Sequence, residues 1–194
     1  MIKTQKYVII SVLFVLLIVP IFFGVYLEYL YVKELSLLTI LYVIIGLILF
    51  LILNKIIINY GYTNKSIEAM RKQDVINAFI NNNKINLLLI FPMIMINEEL
   101  LFRYYLIGFL IDQLKYGVIM AMIISSLLFS LYHIHSWFTF KNVRILMLNL
   151  VYSFLLGLYN SYVVIILGIF PCILIHFGLA LSMHYNLYKK YYKE

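Results

Sequence analysis

The chain has 194 residues, 65% of them hydrophobic and only 12% charged, with 15 basic against 8 acidic side chains and a mean hydropathy of +1.01. This composition excludes a soluble globular protein and suits an all-α, polytopic transmembrane helix bundle forming a single membrane domain over 1–194. The basic surplus fits inner loops flanking a lipid bilayer better than it fits nucleic acid, and the lone cysteine excludes a disulfide framework and a cysteine zinc site.

In chain order, Tyr7 to Tyr26 predicts a first span, too long for a signal peptide and followed by no small-residue cleavage site. Pro20 and Gly24 are candidate kinks, and Glu28 to Glu34 forms the first short connection. Leu37 to Ile58 predicts a second span ending at Asn59-Tyr60-Gly61-Tyr62, so that 1–62 holds two N-terminal spans. From Thr63 to Lys84 the chain is polar, with Ser66 as a cap and Ala69, Met70, Val75, Ile76, Phe79 and Ile80 as a ragged apolar stripe. This 63–84 segment reads as a cytoplasmic amphipathic helix on the membrane surface.

The remaining 85–188 reads as a four-helix catalytic core, giving about six spanning helices in all. A third span starts near Ile85 and runs to Asp112–Lys115, and either it tilts or Pro92 breaks it. Tyr116 to His135, Ile145 to Tyr159 and Tyr162 to Tyr185 predict the other three, with Asn160-Ser161 as a tight hairpin between the last two. Cys172, inside an apolar run, reads as a buried, inert thiol.

Basic residues set the expected orientation. With the N-terminus inside, Lys3 and Lys6, then Lys55, Lys65, Arg71, Lys72 and Lys84, then Lys141 and Arg144, then Lys189, Lys190 and Lys193 all fall on the inner side. Only Lys33 and Lys115 fall outside, so both termini are expected in the cytoplasm.

Three helices carry ionisable groups at membrane depth, where charge is costly and marks function. In Glu98-Glu99-Leu100-Leu101-Phe102-Arg103, Glu99 and Arg103 stand at i and i+4 with the acid first, so Arg103 neutralises Glu99. Glu98 points about 100° away around the helix and has no local partner, which suits a general base. Ser126, Ser130 and His133 share a face bordered by Phe129, whereas His135 points elsewhere. His176 lies inside the last span, with Ala180 and His184 at successive turns. Peptide hydrolysis needs a base for water, a proton donor for the leaving amine and an oxyanion stabiliser, roles open to Glu98, His133 and His176.

These motifs, E-E-x-x-x-R at Glu98 to Arg103, F-x-x-x-H at Phe129 to His133 and a third beginning at His176, resemble the CAAX protease and bacteriocin-processing family, also called the Abi or Rce1-like family. The likeness covers roughly Ile85 to Ala180. It implies an intramembrane endopeptidase, opening to the cytoplasm, that acts on a membrane-associated peptide or protein. Glu98 and His133 would activate a water, and His176 would help hold the oxyanion together with an asparagine four residues on. Here that position is Ala180, and Tyr104 follows Arg103 where many members have glycine. Glu99, Arg103, Phe129 and Asn149 stand as supporting residues, Asn149 either as interhelical glue or as the missing donor. No cofactor is expected, zinc on Glu98, His133 and His176 being the minor alternative. The rival function is an immunity or scaffold protein with weak or absent catalysis; a small transporter fits less well, since no broken half-helices recur in two halves. Nothing in the sequence fixes a substrate or an oligomeric state.

Overall fold

Hydrocarbon cannot satisfy backbone N–H and C=O groups, so apolar runs of this length must close their hydrogen bonds within the segment, as helices do. The computed structural model describes residues 3–32 and 35–193, and it is helical, with no strand among them. Lys33 and Glu34, assigned above to the first outer connection, and the side chain of Lys3 lie outside what is described.

Helix α1 is Lys3–Phe22 and α2 is Leu37–Ile56, the latter capped by Ser36, whose hydroxyl accepts the Thr39 N–H at 3.1 Å. The polar segment forms two short helices, α3 (Asn64–Met70) and α4 (Asp74–Ile80), where the sequence suggested one. The α3 cap is Thr63, not Ser66; Ser66 is buried, and its N–H is the group that Thr63 Oγ1 accepts. Residues 84–113 are helical without a break and include α5 (Phe91–Glu99) and α6 (Leu106–Gly108), joined by π-helical turns. At about 1.5 Å per residue this run is long enough to cross a bilayer. Pro92 does not break it: it follows directly on the π-helical turn Asn86–Ile90, a local widening of the helix of the kind that accommodates a proline inside a membrane helix.

Then follow α7 (Val118–Tyr132), α8 (His135–Phe140), α9 (Val143–Leu167) and α10 (Ile169–Tyr191). Among the described residues five segments are long and apolar enough to span a membrane: Gln5–Phe22, Leu37–Gly61, Val118–Phe140, Val143–Leu167 and Ile169–Tyr191. The predicted hairpin at Asn160-Ser161 is wrong. Both residues are buried inside α9, and the chain turns instead at Gly168, which has a φ of 79° and where an added Cβ would stand 2.6 Å from the Leu30 carbonyl oxygen.

Polar contacts between helix ends show which ends lie together. Lys6 pairs with Asp74, Arg144 donates to the carbonyls of Tyr60 and Gly61, Lys190 donates to Asn59, and the Arg71 guanidinium lies over the Tyr192 ring. Basic segments far apart in sequence therefore share one end of the bundle. The opposite end gathers Tyr29 with Asp112 and Leu30 with Gly168. An apolar cluster fills each half: Tyr29, Tyr104, Ile107, Val163 and Ile169 toward the second end, and Ile57, Met70, Ile76, Ile145 and Leu187 toward the basic end.

Candidate active site

The buried charges meet between those two clusters, where α5 and its π-helical continuation pack against α7, α9 and α10. Glu99 is fully buried, and all its bonding partners are donors: His176 Nδ1–H at 2.6 Å and Asn160 Nδ2–H at 3.0 Å on Oε1, and the Cys172 thiol at 2.9 Å on Oε2. Arg103 Nε stands 3.5 Å from the same Oε2. The expected Glu99–Arg103 pair is present, but the hydrogen bonds that hold Glu99 come from α9 and α10. An ionised carboxylate only accepts, so the contact fixes His176 with its proton on Nδ1 and leaves Nε2 facing away from Glu99.

Glu98, one residue earlier, is placed quite differently. Its Oε2 has no hydrogen-bond partner among the described residues, and it stands 3.9 Å from His176 Nε2. It lines a cavity of about 430 Å³ together with Phe129, His133, His176 and Ala180, and the same cavity reaches Lys6, Lys72 and Asp74 at the basic end. His133 follows the last turn of α7 and donates Nδ1–H to the Phe129 carbonyl at 2.9 Å, which frees its Nε2. Its ring packs edge-on to Phe129 at 4.8 Å, and Phe129 in turn meets the His176 ring at 5.8 Å.

The structure thus brings Glu98, Glu99, Arg103, Phe129 and His176 into contact and puts His133 on the wall of the same cavity. Asn149 also lines that cavity, but it stands three turns before Asn160 on α9, about 16 Å along the axis from the level of Glu99. Ser126 and Ser130 turn their hydroxyls to backbone carbonyls, and Ser130, bonded to Leu150, serves helix packing. His184 donates Nδ1–H to the Ala180 carbonyl and accepts from the Gln73 amide at 2.6 Å, tying α10 to the segment before α4; His135 is exposed. Among the described residues no group of three His, Cys, Asp or Glu is placed to hold a metal ion.

Sequence reasoning missed Asn160 and the bonding of Cys172. Asn-Ser resembled a turn, yet apolar residues continue on both sides of it, and Gly168 with Pro171 supplies a stronger break eight residues later.

The sequence pattern described as Type II CAAX prenyl endopeptidase Rce1-like matches residues 81–182. No curated protein and no solved structure matches. The matched stretch spans more than half of the chain and contains Glu98, Glu99, Arg103, Phe129, His133 and His176. With its bundle of apolar helices, the chain belongs to the Rce1-like family of type II CAAX prenyl endopeptidases, a family of membrane proteases.

Proposed function

We propose that the protein is an intramembrane endopeptidase in which Glu98 and His133 activate a water to attack a peptide carbonyl. The observation that carries this reading is the contrast between two adjacent glutamates: Glu99 is held by three donors, whereas Glu98 lines the cavity and has a carboxylate oxygen with no hydrogen-bond partner among the described residues. Glu98 takes a proton from the water, the resulting hydroxide adds to the carbonyl carbon, and the proton passes to the leaving amine as the C–N bond breaks. His176, with Nδ1–H held by Glu99, turns Nε2 toward the developing oxyanion and, protonated there, donates to it. The chemistry is assigned to these residues without a metal.

The substrate is a membrane-associated peptide or protein that reaches the cavity from the basic end, and that end faces the cytoplasm with both termini. The gathering of inner-loop lysines and arginines there supports this orientation. The whole chain acts as one membrane domain, with 85–188 as its catalytic core.

A second reading, a catalytically weak relative acting in bacteriocin immunity or as a scaffold, is favoured by one feature. Ala180 lines the cavity one turn beyond His176 and offers the oxyanion no donor. Purified protein in lipid, incubated with a library of membrane peptides, distinguishes the two. The protease reading expects cleavage that is abolished in Glu98→Gln while the variant still inserts and folds. Cleavage unchanged by Glu98→Gln rules it out.

A further inference from the structure

We propose that Asn160 is a positioning residue that acts through Glu99 to fix the imidazole of His176. Asn160 is fully buried in the middle of α9, and its side-chain amide is aimed at Glu99 Oε1, the same oxygen that accepts His176 Nδ1–H. The carboxylate admits only the NH₂ side of the amide, so Asn160 Oδ1 is left buried with no hydrogen-bond partner among the described residues. A buried polar atom without a partner is destabilising and uncommon. Its presence at a position where the surrounding face is apolar indicates that the Nδ2–H bond to Glu99 is what this residue supplies.

The geometry forms a chain from helix to helix. Asn160 on α9 orients Glu99 at the end of α5, Glu99 orients His176 on α10, and His176 Nε2 then faces Glu98 and the cavity. This is the relation by which a carboxylate sets the ring orientation and proton position of a working histidine. With Asn160 removed, Oε1 loses one of its two donors, and the carboxylate is free to rotate toward Arg103 and Cys172 on its other oxygen. His176 would then lose its fixed orientation although no residue touching substrate had changed. Asn160 comes from a different helix than position 180, so it does not restore the donor that Ala180 lacks; it acts behind the histidine.

The catalytic consequence rests on the protease reading, but the positioning does not, and the test separates them. In protein labelled with ¹⁵N-histidine and reconstituted in lipid, His176, assigned by signal loss in His176→Gln, should show a proton on Nδ1 shifted downfield by its carboxylate partner. Asn160→Leu should move that resonance upfield, and Asn160→Ser, a smaller donor, should move it less. On any cleaved peptide Asn160→Leu should lower kcat about tenfold, as is typical for partners that orient a working side chain, with KM unchanged. A native His176 without the Nδ1 proton, or the same resonance in native protein, Asn160→Leu and Asn160→Ser, overturns the proposal. A shift of the resonance in a protein that cleaves nothing upholds the positioning and removes only the protease reading.

Discussion

The guanidinium of Arg103 lies 3.8 Å above the ring of Phe129, both of them fully buried. One face of that ring therefore carries the cation that balances Glu99, while its edges meet His133 and His176. Phe129 separates the buried ion pair from the cavity and sets the spacing of the two histidines. Phe129→Leu should lower stability by about 2 kcal/mol or more, from the lost cation–ring attraction and from volume. It should also reduce cleavage, since both histidines lose a wall. Thermal unfolding in detergent and turnover, measured on the same preparation, check the two effects together.

The Glu99–Arg103 pair makes a complementary expectation. Glu99→Gln leaves Arg103 charged in a fully buried site where its guanidinium nitrogens already lack hydrogen-bond partners among the described residues. Breaking a buried pair from one side costs about 3–5 kcal/mol. Glu99→Gln should therefore unfold at markedly lower temperature, whereas Glu98→Gln should melt near the native protein. Equal melting temperatures for the two variants would show that Arg103 is balanced by something other than Glu99.

Helices α7 and α9 touch at Gly157, where a Cβ would stand 2.9 Å from Ser126 Cβ and 3.0 Å from its Cα. One of those atoms is backbone, so the helices themselves must part to admit a methyl group. Gly157→Ala should cost about 1–3 kcal/mol. It should also disturb the distance of His133 from the α10 side of the cavity. A melting curve and a cleavage assay that both remain native would show that the two helices yield easily.

Orientation can be tested on whole cells. In a Cys172→Ser background, which keeps a donor for Glu99, single cysteines at Asn64 and Lys141 should react with an impermeant thiol reagent only after permeabilisation. A cysteine at Ser36 should react in intact cells. Labelling of position 64 from outside reverses the assignment of the basic end to the cytoplasm.

The fold was legible where apolar length and basic flanks decide it, and the site where charges sit inside apolar runs. Glu98, Glu99, Arg103 and His176 could be picked out because hydrocarbon admits such groups only for a reason. Asn160 could not, since an uncharged amide next to serine reads equally as a turn, and only its meeting with Glu99, 61 residues away, gives it a role. Thr63 was passed over for Ser66 because both are capping residues, and the choice depends on where the chain enters the helix. At Pro92 the sequence leaves a tilted span and a broken one both open, because whether a proline breaks a helix depends on how the turn before it re-satisfies the freed carbonyl, here a π-helical turn.

Metal dependence is decided by chelation. The assignment of water activation to Glu98 and His133 expects any peptidase activity to survive a strong chelator, whereas a catalytic zinc would be stripped with loss of turnover. Loss of activity in chelator and its return with zinc would replace the proposed mechanism by a metal-assisted one.

The departure at position 180 gives the most direct choice between enzyme and binder. Residues i and i+4 share a helix face, and Ala180 lines the same cavity as His176, one turn nearer the basic end. An asparagine amide there would border the same cavity as His176, whose volume of about 430 Å³ leaves space for it. One such donor contributes about 2.7–4 kcal/mol to turnover where it meets the oxyanion. Ala180→Asn should therefore raise kcat, by up to a hundredfold or more, with Glu98→Gln silent in both backgrounds. Asn149 lies three turns from the level of Glu99, so Asn149→Ala should not cancel the gain. Should Ala180→Asn cleave no peptide, while Glu98→Gln retains whatever phenotype the native protein gives cells, the cavity serves to bind a partner rather than to hydrolyse one.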